Sequence, residues 1–408
     1  MKNICRLIQG ALVLFLALGV ASCSRPADPK LEALKRAIEV VDHQLHLSAA
    51  NFADQQDTSR LFPRSFPDKQ GRVRGVGIHD WTSGFFPGSL WVGYQLTGDP
   101  TLKAEAEHYT ARLERIPFYR GTHDLGFMVF CSYGMQQQIL GDELSAAAIV
   151  EASKSLISRC REEIGLIRSW DFGKWNYPVI IDNMMNLEML FWASQHTGDP
   201  IYHDVAVRHA DLTLANHFRE DNSSYHVISY NDDGTVESKG TFQGYSDSSA
   251  WARGQAWGLY GYTMCYRFTR EARYLEQAQK IAAFVISHPN TPEDRIPYWD
   301  YNAPNIPDAP RDSSAAAVMA SALLELSTLV EGELSQRYFD YAETLLMALS
   351  TDAYLAQKGE NGGFILMHAT GHLPANSEID MPLNYGDYYY LESIRRYLEL
   401  RGVDPLTL

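Results

Sequence analysis

Residues 175–193 read Trp-Asn-Tyr-Pro-Val-Ile-Ile-Asp-Asn-Met-Met-Asn-Leu-Glu-Met-Leu-Phe-Trp-Ala. The first half is a β-branched and aromatic run that makes a poor helix start. From Met184 onward, Met185, Leu187, Leu190 and Phe191 mark an apolar helix, so Asp182 stands at a helix mouth. A lone carboxylate in that position is an N-cap, held as an anion by free amides. This one has company, because the chain repeats the arrangement of a polar or aromatic loop followed by a largely apolar helix.

Outward from that stretch, helical periodicity dominates and strand patterns are scarce. Buried helices are predicted over 84–96, 125–140, 184–195, 250–266, 313–329 and 388–400. Mixed, amphipathic ones are predicted over 31–54, 102–113, 144–160, 201–218, 272–286 and 335–349. The tetrapeptide Thr97-Gly98-Asp99-Pro100 recurs as Thr197-Gly198-Asp199-Pro200 at the same phase, between a buried and a mixed helix. Repeated hairpins of this kind build either a solenoid or a closed ring. An open solenoid exposes a polar concave face, whereas these inner helices are apolar and aromatic. The pattern therefore predicts an all-α, closed double ring of six helical hairpins, an (α/α)6 barrel.

Closure decides where chemistry can occur. Loops entering the six inner helices all open on one end, and they carry Asp80 and Trp81; His123 and Asp124; Trp170, Trp175 and Asp182; Gln243, Asp247, Trp251, Arg253 and Trp257; Trp299, Arg311 and Asp312; and Tyr385, Asp387 and Tyr388. Rings that stack on the apolar faces of sugars, mixed with groups that catch hydroxyls, make a sugar pocket. Asp124 and Asp182 each enter an uncharged helix. Burial there raises a carboxyl pKa toward neutrality, as a general acid requires.

The rest of the chain bounds the setting. Hydrophobic residues make up 45% and aromatic residues 12% of the 408, enough for one large core, and no linker divides it. A net charge of −15 excludes nucleic acid as a partner and leaves any anionic ligand to a local cluster. Cys131, Cys160 and Cys265 have neither disulfide nor metal spacing, so no zinc site is expected. At the start, Lys2 and Arg6 precede an apolar run from Ala11 to Val20 and then Val-Ala-Ser-Cys ending at Cys23. That is a signal peptide over residues 1–22. Its end resembles the bacterial lipobox, which implies lipid attachment at Cys23, a short linker to residue 30 and a barrel over 31–408, tethered to a membrane surface of the bacterial cell envelope and facing the periplasm.

Five ordered blocks carry a resemblance across nearly all of the mature chain. They are Trp-Thr-Ser-Gly-Phe-Phe-Pro-Gly from Trp81, His-Asp-Leu-Gly-Phe from His123, Asp-Asn-Met-Met-Asn-Leu from Asp182, Gln-Gly-Tyr-Ser-Asp-Ser-Ser-Ala-Trp-Ala-Arg-Gly-Gln-Ala-Trp from Gln243, and Tyr-Gly-Asp-Tyr-Tyr-Tyr-Leu-Glu from Tyr385. Together they closely resemble the unsaturated glucuronyl hydrolases, glycoside hydrolase family 88. The resemblance implies removal of the 4,5-unsaturated uronic acid that a polysaccharide lyase leaves at the non-reducing end of a glycosaminoglycan-type oligosaccharide, without metal or cofactor. It implies Asp182 as acid and base, Asp124 as its partner, and Trp81, His123, His226, Gln243, Arg253 and Trp257 around the unsaturated ring. Arg253 is the expected holder of the uronate carboxylate, with an ion pair to Asp247 as its structural alternative and Trp257 on its helical face. An unsaturated rhamnogalacturonyl hydrolase on the same barrel, a sugar-binding lipoprotein without turnover, and an epimerase or lyase using His123 and His226 are the competing functions.

Overall fold

A computed structural model describes residues 28–408; Cys23 and the signal-peptide segment lie outside the described residues. Outer helices α1 (Pro29–Phe52), α3 (Pro100–Ala111), α5 (Glu143–Ile157), α7 (Pro200–Asn216), α9 (Ala272–Ser287) and α11 (Gly332–Leu349) alternate with inner ones. The inner helices are α2 (Phe85–Thr97), α4, α6 (Leu187–Thr197), α8 (Ala252–Thr269), α10 (Ser313–Ser327) and α12 (Asn384–Leu400). Helix α4 is composite, with Gly126–Gly134 wound as a π-helix and Met135–Leu140 as an α-helix. The expected linker is two residues shorter at its end, because Asp28 already caps α1 through the Lys30 amide.

Burial separates the rings as the sequence pattern requires. In α9 the buried positions Tyr274, Ala278, Ile281, Ala282 and Val285 form one stripe, since its other face meets water. Helix α10 is buried along nearly its whole circumference and, apart from Glu325, is built from Ser, Ala, Leu, Val and Met, because it has neighbours on every side. Helix α12 packs on both α10 and α2, and α1 reaches α2, α3 and α11, so both rings close.

The repeated tetrapeptide explains its own recurrence. Gly98 and Gly198 end α2 and α6 at φ 69° and 75°, where a side chain is strained. Asp99 and Asp199 then accept the Thr101 and Ile201 amides, and Pro100 and Pro200 occupy the first turn of the next helix. Each turn reverses the chain from inner to outer ring.

Seven short strands, absent from the sequence reading, sit in the loops that enter inner helices. They are β1 (Phe62–Ser65) with β2 (Arg74–Val76), β3 (Pro178–Ile180) with β4 (Val227–Tyr230) and β5 (Val236–Gly240), and β6 (Ala369–His372) with β7 (Ser377–Met381). All pairs are antiparallel, and β4 lies between β3 and β5. Pairing of Ile180 with Val227 continues into a bond from the Ile181 amide to the His226 carbonyl, which brings His226 beside Asp182.

The helices behind Asp124 and Asp182 touch through a glycine. A Cβ on Gly126 would lie 2.6 Å from the Asn186 Cα, and the Phe127 amide donates to Asn186 Oδ1 at 3.2 Å. Gly126→Ala must push the entries of α4 and α6 apart. Overpacking of this kind costs about 1–3 kcal/mol, so the variant should melt at lower temperature and lose turnover disproportionately; wild-type melting and rate together would refute the contact's importance.

Candidate active site

The mouth holds a cavity of about 490 Å³ whose walls include Asp80, Trp81, His123, Asp124, Trp170, Asp182, Gln243 and Tyr385, one or more from five of the six predicted groups, the exception being that of Trp299, Arg311 and Asp312. Asp182 is not an N-cap. It lies in a tight 3-10 segment, Ile181–Asn186, that caps no amide with a side chain, and its carboxyl turns inward. Among the described residues none donates a hydrogen bond to Asp182 Oδ2, to which no water has access. Burial, reinforced by the charge of Asp124 and opposed by Arg253, pushes this carboxyl up to about 7.

Asp124 sits just before α4 and is more open, its side chain 17% exposed. Thr122 Oγ1 donates to Asp124 Oδ2 at 2.7 Å, and His123 Nε2 lies 3.2 Å from Asp124 Oδ1. Burial holds the His123 imidazole below its ordinary pKa, so it is a neutral neighbour. His226 has a fixed tautomer. Its Nδ1 accepts the amides of Phe242 and Gln243, each at 3.1 Å, which leaves the proton on Nε2, 3.6 Å from Asp182 Oδ2. Burial keeps this ring neutral as well.

Trp257 is fully buried and close enough to Asp182 to favour its anion, and its indole N–H has no hydrogen-bond partner among the described residues. The Gln243 side chain donates to the Gly371 carbonyl at 3.2 Å, fixing one wall. Trp81 packs against Phe85, Phe127 and Tyr385 and presents its remaining surface to the cavity.

Arg253 departs from expectation. It is 1% exposed, and Nη1 donates to Asp312 Oδ2 at 2.6 Å and to the Thr370 carbonyl at 2.7 Å, while Nη2 donates to Gly371 O at 2.6 Å. Its ion-pair partner is therefore Asp312 and not Asp247, whose Oδ1 accepts the Thr241 amide. The aromatic rings over the guanidinium are Trp251 and Tyr385 instead of Trp257. A planar fork already engaged on three acceptors is a brace between α8, α10 and β6, acting on Asp182 through its charge. Asp387 likewise leaves the mouth, because α12 starts four residues earlier than expected and turns its carboxyl onto the Ile365 and Leu366 amides.

Sequence reasoning missed Arg64. It lines the cavity and forks onto Glu378 at 2.7 and 3.0 Å while Nη1 bonds both Asp80 oxygens at 2.8 and 2.9 Å. Glu378 also meets Arg74. This clasp joins the loop before α2 to the β6–β7 hairpin, 314 residues apart, and nothing local in a Pro-Arg-Ser loop announces it.

A closed helical double ring, with a protonatable carboxyl facing a second carboxylate among aromatic rings and neutral N–H donors, defines the (α/α)6-barrel class of carbohydrate-active enzymes. No protein-family model matches the chain. An unsaturated glucuronyl hydrolase of Formosa agariphila is 49% identical over 339 residues, spanning 82% of this chain and 84% of that protein. A crystal structure described as an unsaturated glucuronyl hydrolase specific for heparin superposes with a TM-score of 0.87 at 49% identity, covering 91% of this chain and 99% of that one. The enzyme of Bacillus sp. GL1, described as responsible for the degradation of glycosaminoglycan, superposes at 0.83 with 32% identity over 91% of this chain and 97% of its own. The chain belongs to the unsaturated glucuronyl hydrolases.

Replacing the brace tests its reassignment. Arg253→Lys keeps the charge but cannot serve three acceptors in a plane, so stability should fall by about 1–3 kcal/mol with KM nearly unchanged in the surviving fold. A normal melting temperature with a raised KM would return Arg253 to the substrate.

Proposed function

We propose that the chain removes a 4,5-unsaturated uronic acid from the non-reducing end of glycosaminoglycan-type oligosaccharides, with Asp182 as its acid and base. The observation that carries the assignment of roles is the buried Asp182 carboxyl, raised to about 7, with one oxygen that no protein group satisfies. The C4=C5 bond of such a sugar is a vinyl ether. Protonation at C4 by Asp182 places positive charge on C5 and the ring oxygen, water adds at C5, and the Asp182 carboxylate takes the water's proton. The hemiketal then opens to a C5 ketone and the exposed C1 hemiacetal releases the leaving sugar. Net uptake is one water.

Asp124 supports this cycle in two ways. Its charge raises the Asp182 pKa, and its own carboxylate, anchored by Thr122, faces the same cavity, where it stabilises developing positive charge on the ring. His226 Nε2–H and Trp257 Nε1–H are unspent donors buried beside Asp182, behind the cavity lining, where they favour its anion, and Trp81, His123 and Gln243 form the walls that meet the sugar. Arg253 contributes a fixed positive potential from behind. The name of the heparin-specific structure makes heparin-type fragments the first substrates to try. The rhamnogalacturonyl alternative lacks such support, since the relatives described above carry the glucuronyl name.

Ultraviolet absorbance of the C4=C5 bond follows the reaction directly. Asp182→Asn should bind substrate and fold but lose at least about 100-fold in kcat, the scale of a general acid, and Asp124→Asn should lose comparably. In the wild type, kcat should fall as pH rises through about 7, where Asp182 loses its proton. Stability carries the same sign. The folded pKa exceeds the unfolded one, so the wild type loses stability as pH rises from the ordinary carboxylate range toward about 7, and Asp182→Asn should melt higher than wild type above that pH. A variant retaining more than a few per cent of activity, or a profile without the alkaline limb, refutes the role.

The sequence around Cys23 supports a lipid anchor at the cell envelope, with the barrel facing the periplasm. Cys23→Ser should yield a soluble enzyme with unchanged kinetics, read by fractionating membranes; a membrane-bound variant would rule the anchor out.

A further inference from the structure

Where the cavity opens outward to solvent, Phe172 and Phe242 line its rim, within a group of aromatic side chains that the proposed reaction does not use. Phe172 is 58% exposed and stacks on Trp170, with centroids 5.1 Å apart and planes 15° from parallel, so one face is covered and the other is offered to solvent. Phe242, 37% exposed, packs against Trp170, against the Trp175 edge and against His372 at 5.5, 5.7 and 4.7 Å. His372 Nε2 also bonds the Phe242 carbonyl at 2.9 Å, tying this loop to the β6–β7 hairpin. The rings are thus held in place before any ligand arrives, which removes most of the ordering cost of binding. Exposed Lys174 holds its ammonium 5.7 Å over Trp175 and not on a carboxylate. Three exposed or half-exposed rings in contact, continuous with the Asp182 cavity, are more than incidental surface apolarity.

We infer that Phe172, Phe242 and Trp175, with Lys174 beside them, form a platform for the second sugar of the leaving group, an acidic pyranose. This rests on the activity proposed above, and adds that the enzyme selects for chain length. In an alternating glycosaminoglycan fragment, the sugar next to the unsaturated residue is a hexosamine and the one after it a uronate. The second leaving sugar therefore brings an apolar ring face for Phe172 and a carboxylate for Lys174.

Unsaturated di- and tetrasaccharides from lyase digests test this with the full-length protein. The wild type should show kcat/KM about tenfold higher for the tetrasaccharide, the worth of one stacked ring, expressed in KM. Phe172→Ala, a surface change that leaves the fold intact, should bring the tetrasaccharide down to the disaccharide value without altering the disaccharide. Lys174→Gln should remove the part of the preference that added salt screens. Equal efficiency on both substrates in the wild type, or a preference that survives Phe172→Ala, overturns the platform. Loss of binding to anionic phospholipid vesicles in Phe172→Ala, with the preference kept, overturns it in favour of a membrane contact. Turnover of neither substrate refutes instead the activity on which the platform rests.

Discussion

A carboxyl oxygen sealed from water without a hydrogen-bond donor is expensive, about 1–3 kcal/mol for the missing partner alone, and the enzyme maintains one at Asp182 Oδ2 while the rest of that side chain lines the cavity. Much of the surrounding architecture keeps that oxygen buried and the pKa of its group raised. The β3–β4–β5 sheet delivers it from one side with His226 in register, α4 closes against α6 through Gly126, and Trp257 fills the floor. Asp124 adds a repulsive charge that makes losing the proton harder still. In the role proposed for it, a group so placed still holds its proton near neutral pH, as protonation of a vinyl ether requires of its acid.

Two arginines at the mouth, Arg253 buried and Arg64 nearly so, show how a chain of net charge −15 manages cations at an acidic site. Arg253 and Arg64 are both consumed by internal acceptors, Asp312 with two carbonyls in one case and Glu378 with Asp80 in the other. Each bridges segments far apart in sequence, so each fixes loop geometry at the mouth while lending it positive potential. Long-range attraction is weak in this protein. Recognition inside the cavity then falls to directional hydrogen bonds and stacked rings, which burial protects from salt more than it does an exposed cation such as Lys174.

The alternation of ring and loop also explains why the aromatic surface is asymmetric. Rings at Trp81, Phe85, Phe127 and Tyr385 pack among themselves on one side of the cavity. On the other side, Trp170 joins the cavity to the exposed Phe172 and Phe242. One side is floor and the other continues outward to solvent, so an oligosaccharide bound through its end has one direction in which to leave.

The sequence by itself determined the twelve helices of the described residues, their division into two rings and the end at which the cavity opens, because those follow from local periodicity and from capping turns such as Thr-Gly-Asp-Pro, each decided within a few residues. It also singled out Asp124 and Asp182, since a carboxylate entering an uncharged helix is conspicuous in one dimension. Strands of three to five residues escaped it, for their stability lies in pairing with distant partners and leaves no period to read. Only the tertiary structure decided that Arg253 meets Asp312 across 59 residues, that Arg64 meets Glu378 across 314, and that His226 faces Asp182. An ion pair is a property of two positions in space. Residue type supplies the charge, and only the closed ring supplies the partner.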